Sequence, residues 1–467
     1  MSDLKIPRRV SSALLNSISA GVTPRIGLEY MAVGRREEIG TLLDDLANVA
    51  EGGSVFRFIV GRYGSGKSFL LQIIRNYAMD RNYAVADADL SPERKLTGGS
   101  GHGLNTYREL IRNLSTRVRP DGGALPALLE KWISGIQVHV LKELSDEKSA
   151  AGKAGEARDT GEAAGEAASS SAQAEVDLRM EARILREIHQ MDTLVHGFDF
   201  AKVLTAYWRG WKSGSDELRS AALKWLRGEY TTRSEAHAEL GVRSIIGNDT
   251  WFDDLRLISA FARTAGCTGF LVLLDEGVNL YKISNSQSRN NNYEKLLNMF
   301  NDAMQGKMQG IGIYMGGTPQ FVEDPRRGLF SYEALRTRLV GTRYVREGFR
   351  DLQSPLLTLD KLSHEELFVL LKKVLEIHCA HHQSQTRVTD HDLMEFLQLA
   401  LSRLGAEELL TPREVLRDFV GILNVLLKEP DISFQGLLTG NLFHVSSAGE
   451  ESRSGNDGDG EAVEFTL

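Results

Sequence analysis

The order of apolar and polar residues along the chain predicts alternating strands and helices. Val55–Val60, Gly269–Leu274 and Gly310–Met315 are largely apolar runs of strand length, as expected for strands buried on both faces of a parallel sheet. Tyr83–Leu90 alternates between apolar and polar residues and predicts another strand, whereas Phe69–Ile74 has the spacing of a helix. The predicted fold class is α/β, with a parallel sheet flanked by helices.

Long helical blocks interrupt and follow these strands. Helical periodicity over residues 105–145 and 181–265 predicts a helical insertion, about 105–265, within a core of residues 33–352. Residues 353–445 predict an all-α domain, in which Ser363 and Glu366 have the spacing of a capping box. Residues 1–32 are expected to form an N-terminal arm.

Two segments have the composition of disordered chain. Residues 145–174 are almost entirely Ala, Gly, Glu, Ser, Lys and Asp, so they offer little apolar surface to offset the entropy of ordering. The acidic tail, residues 446–467, is rich in Gly and Ser. We predict disorder in both segments.

Composition narrows the class of protein. Of 467 residues, 42% are hydrophobic and only two are cysteines, which fits a globular protein without a disulfide framework. The net charge of −8 argues against coating nucleic acid through bulk charge, although a local basic channel remains open. No signal peptide or membrane-length apolar run is apparent, so we expect a cytoplasmic protein without membrane partners.

The most specific motif lies between the first strand and the helix that follows it. Residues 61–68 read G-R-Y-G-S-G-K-S, which is the pattern of a phosphate-binding loop. Glycines let backbone N–H groups surround phosphates, Lys67 would bridge the β- and γ-phosphates, and Ser68 would hold Mg²⁺. ATP and Mg²⁺ are therefore the expected cofactors. Residues expected at the nucleotide are Gly61, Arg62, Tyr63, Gly64, Ser65, Gly66, Lys67, Ser68 and Phe69, with Gly34 and Arg35 before the preceding helix.

Nucleotide hydrolysis also needs an acidic strand end. Residues 269–276 place five apolar residues ahead of Asp275 and Glu276, a Walker B pattern. Asp275 would share the metal with Ser68, and Glu276 would polarise the attacking water. The alternative is a buried strand that ends at solvated acids. About 200 residues separate this strand from the loop, which is where the insertion lies.

A further strand could carry a residue that senses the γ-phosphate. The run at residues 310–320 reaches Thr318, which we take as the sensor, with Asn279 as a rival just past the acidic pair. The alternative for Thr318 is a plain turn residue before Pro319.

Arginines follow in positions typical of the AAA+ arrangement. Arg338 and Arg336, on a helix-like stretch after the sensor strand, are candidates for an arginine finger that acts on a neighbouring subunit. Arg326 and Arg327 are less well placed. Arg413, after a threonine cap and a first-turn proline, could fold over the nucleotide as sensor 2. Each of these arginines could instead be an ordinary exposed residue.

Two other clusters are given structural roles. The His378, Cys379, His381 and His382 cluster has no second ligand pair with zinc spacing, so we do not predict a metal there. Trp208, Trp211 and Trp225 are expected to pack in the core rather than stack on bases.

Together these segments resemble the BREX-system ATP-binding family of bacterial phage defence, the BrxC/BrxD-type P-loop ATPases. The resemblance rests on residues 61–68, 225–229, 269–276, 316–321 and 324–339. The length of the chain is closer to that of the short BrxD-type member. Where members of the family often have Ala-Gly-Thr-Pro-Glu, this chain has Gly-Gly-Thr-Pro-Gln, which weakens any role for an acid at position 320.

The resemblance implies an AAA+-like ATPase with a C-terminal helical lid. It also implies a homo-oligomer that works beside a helicase or another DNA-handling partner, on DNA directly or through that partner. A nucleotide-gated switch or scaffold with slow or partner-stimulated hydrolysis remains the alternative. A small-molecule kinase is disfavoured, because no site for a substrate phosphate is evident.

Overall fold

The computed structural model describes residues 5–152, 165–189, 197–340, 351–385, 387–402, 411–429 and 431–439. The chain divides into two compact units, which are described separately. One contains residues 34–361, and the other joins residues 1–33 to residues 362–467. Among the described residues, no helix combines the length and apolar character needed to cross a membrane.

The larger unit is built on a five-stranded parallel sheet. Its strands, in chain order, are β1 (Ser54–Gly61), β2 (Ala84–Asp89), β3 (Phe270–Asp275), β4 (Ile311–Gly317) and β5 (Leu356–Leu359). Their spatial order is β2-β3-β4-β1-β5, and every pairing is parallel. Because parallel strands share one carboxyl edge, this order brings the ends of β1, β4 and β3 side by side.

Helices cover both faces of this sheet. The helices of the larger unit are α3 (Arg36–Ala50), α4 (Lys67–Asp80), α5 (His102–Arg112), α6 (Leu125–Gly152), α7 (Gly165–His189), α8 (Gly197–Ser213), α9 (Asp216–Leu226), α10 (Arg233–Leu240), α11 (Trp251–Thr264), α12 (Val278–Tyr281), α13 (Ser286–Met304), α14 (Pro319–Glu323) and α15 (Glu333–Leu339). Alternate residues of β1 face opposite cores: Ile59 packs with α3 and α4, and Phe58 packs on the other face. The parallel sheet flanked by helices agrees with the predicted α/β class.

The helices α5 to α11 lie between β2 and β3, where the sequence predicts the insertion. Their apolar faces share one core with the sheet, and this core includes Trp132, Trp225 and Trp251. The Trp225 indole N–H donates to the carbonyl of Ser244 at 2.9 Å. The prediction that Trp208 and Trp225 pack in the core is confirmed, and Trp211 is partly buried against it.

The prediction of disorder over residues 145–174 is wrong for both ends of that segment. Helix α6 continues to Gly152 and α7 begins at Gly165, while residues 153–164 lie outside the described residues. Ion pairs join the two helices, Arg179 to Glu147 at 2.8 Å and Arg183 to Glu143 at 2.7 Å. Alanine-rich sequence propagates a helix well once a neighbouring helix supports it, which composition alone did not reveal. The acidic tail, residues 446–467, also lies outside the described residues.

The predicted start of the helical domain at residue 353 is also wrong. Residues 356–359 form β5, which pairs with β1 from Phe58↔Leu356 to Gly61↔Leu359. A run of four residues is too short to show whether its apolar positions repeat with the period of a strand or of a helix. The sheet therefore gains its fifth strand from a segment assigned to the lid, and the second unit resumes at residue 362.

The smaller unit is all helical in its described part. Its helices are α1 (Arg8–Ser19), α2 (Leu28–Met31), α16 (His364–His382), α17 (Asp390–Leu401), α18 (Pro412–Lys428) and α19 (Phe434–Thr439). Residues 1–32 were expected to form a separate arm, but α1 packs against α16 and α18 and buries Leu14 and Ile18. The capping box of Ser363 and Glu366 is present at the start of α16.

Candidate functional site

A glycine loop connects β1 to α4 at the carboxyl edge of the sheet. The chain leaves β1 at Gly61 and enters α4 at Lys67, and Gly66 before the helix has the left-handed φ of 89°. A Cβ built on Gly61 would lie only 2.2 Å from the Ser65 Oγ. Any side chain at position 61 would therefore push the loop open, which explains the first glycine of the motif.

Two side chains of the loop are placed to bind an anion. The Ser65 side chain is 1% exposed, and its Oγ has no hydrogen-bond partner in the part of the chain that the structure describes. The Lys67 ammonium donates to the carbonyls of Gly61 and Arg62 at 2.9 and 3.0 Å. Burial lowers the pKa of Lys67, while the carboxylates of Asp275 and Glu276 act in the opposite direction. Phosphate oxygens would give these donors better acceptors.

The predicted metal ligands lie next to each other. The Ser68 hydroxyl donates to Asp275 Oδ2 at 2.5 Å, which joins the first turn of α4 to the end of β3. A Cβ on Gly316 of β4 would lie 2.3 Å from Asp275 Oδ1, so only glycine leaves room for this carboxylate. A hydroxyl beside a carboxylate offers the hard oxygen ligands that Mg²⁺ prefers. The site therefore fits Mg²⁺ by its donor set.

Glu276 turns away from the strand that precedes it. Its φ of 57° lies in the left-handed region, which is uncommon for a residue with a side chain. Its N–H donates to Asp275 Oδ1 at 2.8 Å, and Gly277 N–H donates to the Gly316 carbonyl at 2.9 Å. This tight turn leaves the Glu276 side chain exposed at the same edge as the loop.

Sequence reasoning missed one acidic neighbour, Asp89. It ends β2 in register with Asp275, so the two carboxylates lie on adjacent strand ends. Burial raises the pKa of Asp89, and Asp275, Asp87 and Glu276 add to the effect. The signal was available, because Asp89 is the last polar residue of the alternating Tyr83–Leu90 run, at a place comparable to that of Asp275 at the end of β3.

The two sensor candidates have different partners. Thr318 follows β4, between the ends of β1 and β3, and its Oγ accepts the Phe321 N–H at 3.3 Å as the cap of α14. The Asn279 amide donates to the Leu90 carbonyl at 2.8 Å. Among the described residues the Thr318 hydroxyl donates to no acceptor, so its hydrogen is free to bond a ligand, whereas the Asn279 amide connects two loops of the protein.

Gly34 and Arg35 lie before α3 with φ values of 67° and 62°. The Arg35 guanidinium donates to the Ser65 carbonyl at 3.1 Å and to the Asp360 carbonyl, and it pairs with Glu38 at 3.2 Å. Arg35 thus connects α3, the glycine loop and the residue after β5. Its contacts with the loop itself were not apparent from the sequence.

The remaining predicted arginines lie on helices. On α15, Arg338 is exposed and donates to Asn301 Oδ1 at 2.8 Å and to the Ala334 carbonyl at 2.7 Å. Arg336, also exposed, pairs with Glu333 at 3.5 Å. In the smaller unit, Arg413 Nη2 lies 3.5 Å from Thr23 Oγ1. The finger and sensor roles of these residues stay predictions.

A parallel sheet with a glycine loop between strand and helix is consistent with a P-loop ATPase. The chain belongs to the family of BREX system ATP-binding proteins BrxC/D, whose model matches residues 6–163 and 157–441. Membership supports an ATP-binding role in phage defence and confirms the resemblance drawn from the motifs. No curated protein matches the chain.

Proposed function

We propose that the protein hydrolyses ATP in a Mg²⁺-dependent reaction at the edge formed by the glycine loop, β3 and β4. The observation that supports this most directly is the contact of Ser68 with Asp275, because the chain brings a phosphate loop and an acidic strand end together from positions 207 residues apart. Of the carboxylates of Asp275 and Glu276, that of Asp275 is hydrogen-bonded to Ser68. We therefore assign activation of the attacking water to Glu276.

Each side chain has a distinct task in this proposal. Lys67 exchanges its carbonyl acceptors for oxygens of the β- and γ-phosphates, and Ser65 gains the acceptor that it lacks. Bound Mg²⁺, held by Ser68 and Asp275, would neutralise charge on the phosphates. Glu276 accepts a proton from the water that attacks the γ-phosphorus, and ADP leaves. Thr318 donates its hydroxyl hydrogen to a γ-phosphate oxygen.

We further propose an AAA+-type assembly of several copies. The exposed Arg338 and Arg336 on α15 are supported as fingers by their position after the strand that carries the sensor. A finger needs to leave its own surface and reach a neighbour's γ-phosphate, which an exposed helix permits. Arg413 would act as sensor 2 from a C-terminal lid. By family, the ATPase would act with a helicase or another DNA-handling partner in phage defence, in the cytoplasm.

A nucleotide-gated switch with slow hydrolysis is the second candidate. The left-handed backbone of Glu276 favours it, because a residue held in a rare conformation can be the element that rearranges between two states. In this case ATP binding would order an interface, and turnover would need a partner.

The deciding experiment measures ATPase rate and particle mass together, with nucleotide and DNA varied independently. Sustained phosphate release that rises as the protein assembles supports the ring ATPase. ATP binding without turnover, in a particle that stays monomeric at micromolar concentration, supports the switch. Absence of ATP binding contradicts both.

A further inference from the structure

Two arginine side chains lie close together near α12 and α13, and neither forms an ion pair with a carboxylate in the part of the chain that the structure describes. Arg289, in the first turns of α13, is only 8% exposed. Its Nη1 donates to the Ile283 carbonyl at 2.9 Å, and Nη2 of Arg327 donates to the same carbonyl at 3.3 Å. A shared acceptor places the two cationic groups within a few ångströms of each other.

Both guanidinium groups have unused donors. The Nε atoms of Arg289 and Arg327 are buried and have no hydrogen-bond partner among the described residues. Burying a charged donor without an acceptor costs free energy, and so does bringing two like charges together. An anion would supply an acceptor for the two guanidinium groups and would offset their positive charge.

Asp324, the acid that precedes Arg326 and Arg327 in the chain, is already engaged. Asp324 Oδ2 accepts a hydrogen bond from the Tyr281 hydroxyl at 2.8 Å. Its Oδ1 accepts hydrogen bonds from the backbone N–H groups of Arg326 and Arg327 at 2.7 and 3.1 Å. These hydrogen bonds lower the pKa of Asp324, so it stays charged, yet its oxygens are directed at other donors. The Arg327 guanidinium lies 5.3 Å above the Tyr281 ring, which fixes its plane.

The surrounding sequence indicates which anion would bind. Residues 277–293 contain no Asp or Glu, but they contain five asparagines, three serines, one glutamine, one lysine and one arginine. Asn285 caps α13 through the Ser288 N–H, which leaves the N–H groups of Ser286 and Gln287 without intrahelical acceptors. Amide and hydroxyl donors, a helix N-terminus and arginines are the groups that contact nucleic-acid backbones.

We propose that Arg289 and Arg327, with the acid-free segment 277–293, bind phosphate groups of a nucleic-acid backbone. This site is separate from the glycine loop and does not require ATP. Arg326, exposed beside Arg327, contributes a further contact. Because the segment follows Glu276 directly, phosphate binding there would act on the turn that holds the proposed catalytic carboxylate.

The test is fluorescence anisotropy with labelled single- and double-stranded oligonucleotides, over a range of salt concentrations. Arg289→Gln should weaken binding about tenfold or more, as expected when a charged hydrogen-bonded contact is lost. The slope of log affinity against log salt should fall by about 0.7 to 0.9 for each phosphate contact removed. Arg112→Gln, which removes an equal charge from an exposed site on α5, should change neither.

Further variants keep the test decisive. Arg327→Gln removes hydrogen bonds to the carbonyls of Tyr281 and Ile283, so its melting temperature is measured. Arg326→Gln provides a second variant, because only the backbone N–H of Arg326 forms a hydrogen bond with the described residues. Lys67→Ala should keep nucleic-acid binding, which separates this proposal from ATP hydrolysis. Unchanged affinity in folded Arg289→Gln and Arg326→Gln overturns the proposal. Wild-type protein that binds inorganic phosphate but no oligonucleotide overturns it as well.

Discussion

The hydroxyl of Ser68 and the carboxylate of Asp275 are in direct contact at 2.5 Å. Ser68 lies in the first turn of α4, which follows β1, whereas Asp275 ends β3, and β4 lies between these two strands in the sheet. Glu276, the next residue, is exposed at the same edge of the sheet. The roles proposed for the two adjacent carboxylates differ, and variants can distinguish them.

Glu276→Gln should retain ATP and lose turnover. The amide preserves the shape of the side chain but cannot accept a proton from water, so phosphate release should fall at least about 100-fold. Calorimetry should show ATP affinity close to that of the wild type. Asp275→Asn is the informative comparison, because it should weaken the Mg²⁺ dependence of ATP binding itself. Loss of ATP binding in Glu276→Gln would contradict this division of roles.

Lys67→Ala should abolish measurable ATP binding. Lys67 is the residue that we propose contacts both the β- and γ-phosphates, and removal of its ammonium should cost about 100-fold or more in affinity. Lys372→Ala, which removes an exposed lysine paired with Asp390, serves as the control. Calorimetry checks both variants, and unchanged affinity in Lys67→Ala would disprove the assignment of the loop.

Arg338→Ala should spare ATP binding but reduce turnover if the active site forms between copies. An arginine finger contributes about 10³-fold or more in rate. Inactive Arg338→Ala and inactive Lys67→Ala subunits should partly restore activity when mixed, because some interfaces then join an intact loop to an intact finger. If the two variants co-assemble without any recovery, Arg336 becomes the better candidate.

Arg57→Met should destabilise the larger unit strongly. Arg57, 5% exposed within β1, pairs with Asp45 and donates to the Leu352 and Ser354 carbonyls at 2.9 and 2.7 Å. Removing one partner leaves Asp45 charged and buried, which costs about 3–5 kcal/mol in the free energy of unfolding. Urea unfolding measures the change, and adding Asp45→Leu should recover part of it. A loss no larger than that of Arg112→Met on the surface would refute this account.

Stability of the smaller unit should fall as pH falls through the histidine range. Burial lowers the pKa of His378; its hydrogen bond to Asn424 opposes the shift, and the neighbouring His382 and His381 add to it. Below about pH 6.5 the unfolded chain takes up a proton that the folded unit refuses, so the free energy of unfolding falls with decreasing pH. The slope should reach about 1.4 kcal/mol per pH unit for each such proton.

Thermal unfolding at a series of pH values tests this expectation. His378→Gln keeps a polar partner for Asn424 and should flatten the pH profile. His391→Gln, at a side chain that is 72% exposed, is the matched control. A profile that stays equally steep in His378→Gln would exclude His378 as its cause.

The sequence revealed those parts of the site that depend on local order along the chain. The glycine loop and the acidic end of β3 each occupy consecutive residues, so the amino-acid sequence alone is sufficient to recognise them. Asp89, the Arg35 contacts and the Arg289–Arg327 pair depend on which segments meet in space, which one sequence does not specify. Strand β5 was missed because its four residues carry no distinctive period. The helices at residues 145–152 and 165–174 were missed because their stability depends on tertiary contacts.

The position of β1 in the sheet has a consequence for synthesis. Both strands that pair with β1 lie far downstream in the chain. Strand β4 begins at Ile311, which is 250 residues after Gly61, and β5 follows β4. At about 5–20 residues per second, the ribosome delivers β4 roughly 10 to 50 s after β1. During that interval the apolar strand and its glycine loop have no neighbouring strand to pair with, so nascent chains should depend on a holding chaperone, and the nucleotide site should be completed only after β4 has been synthesised.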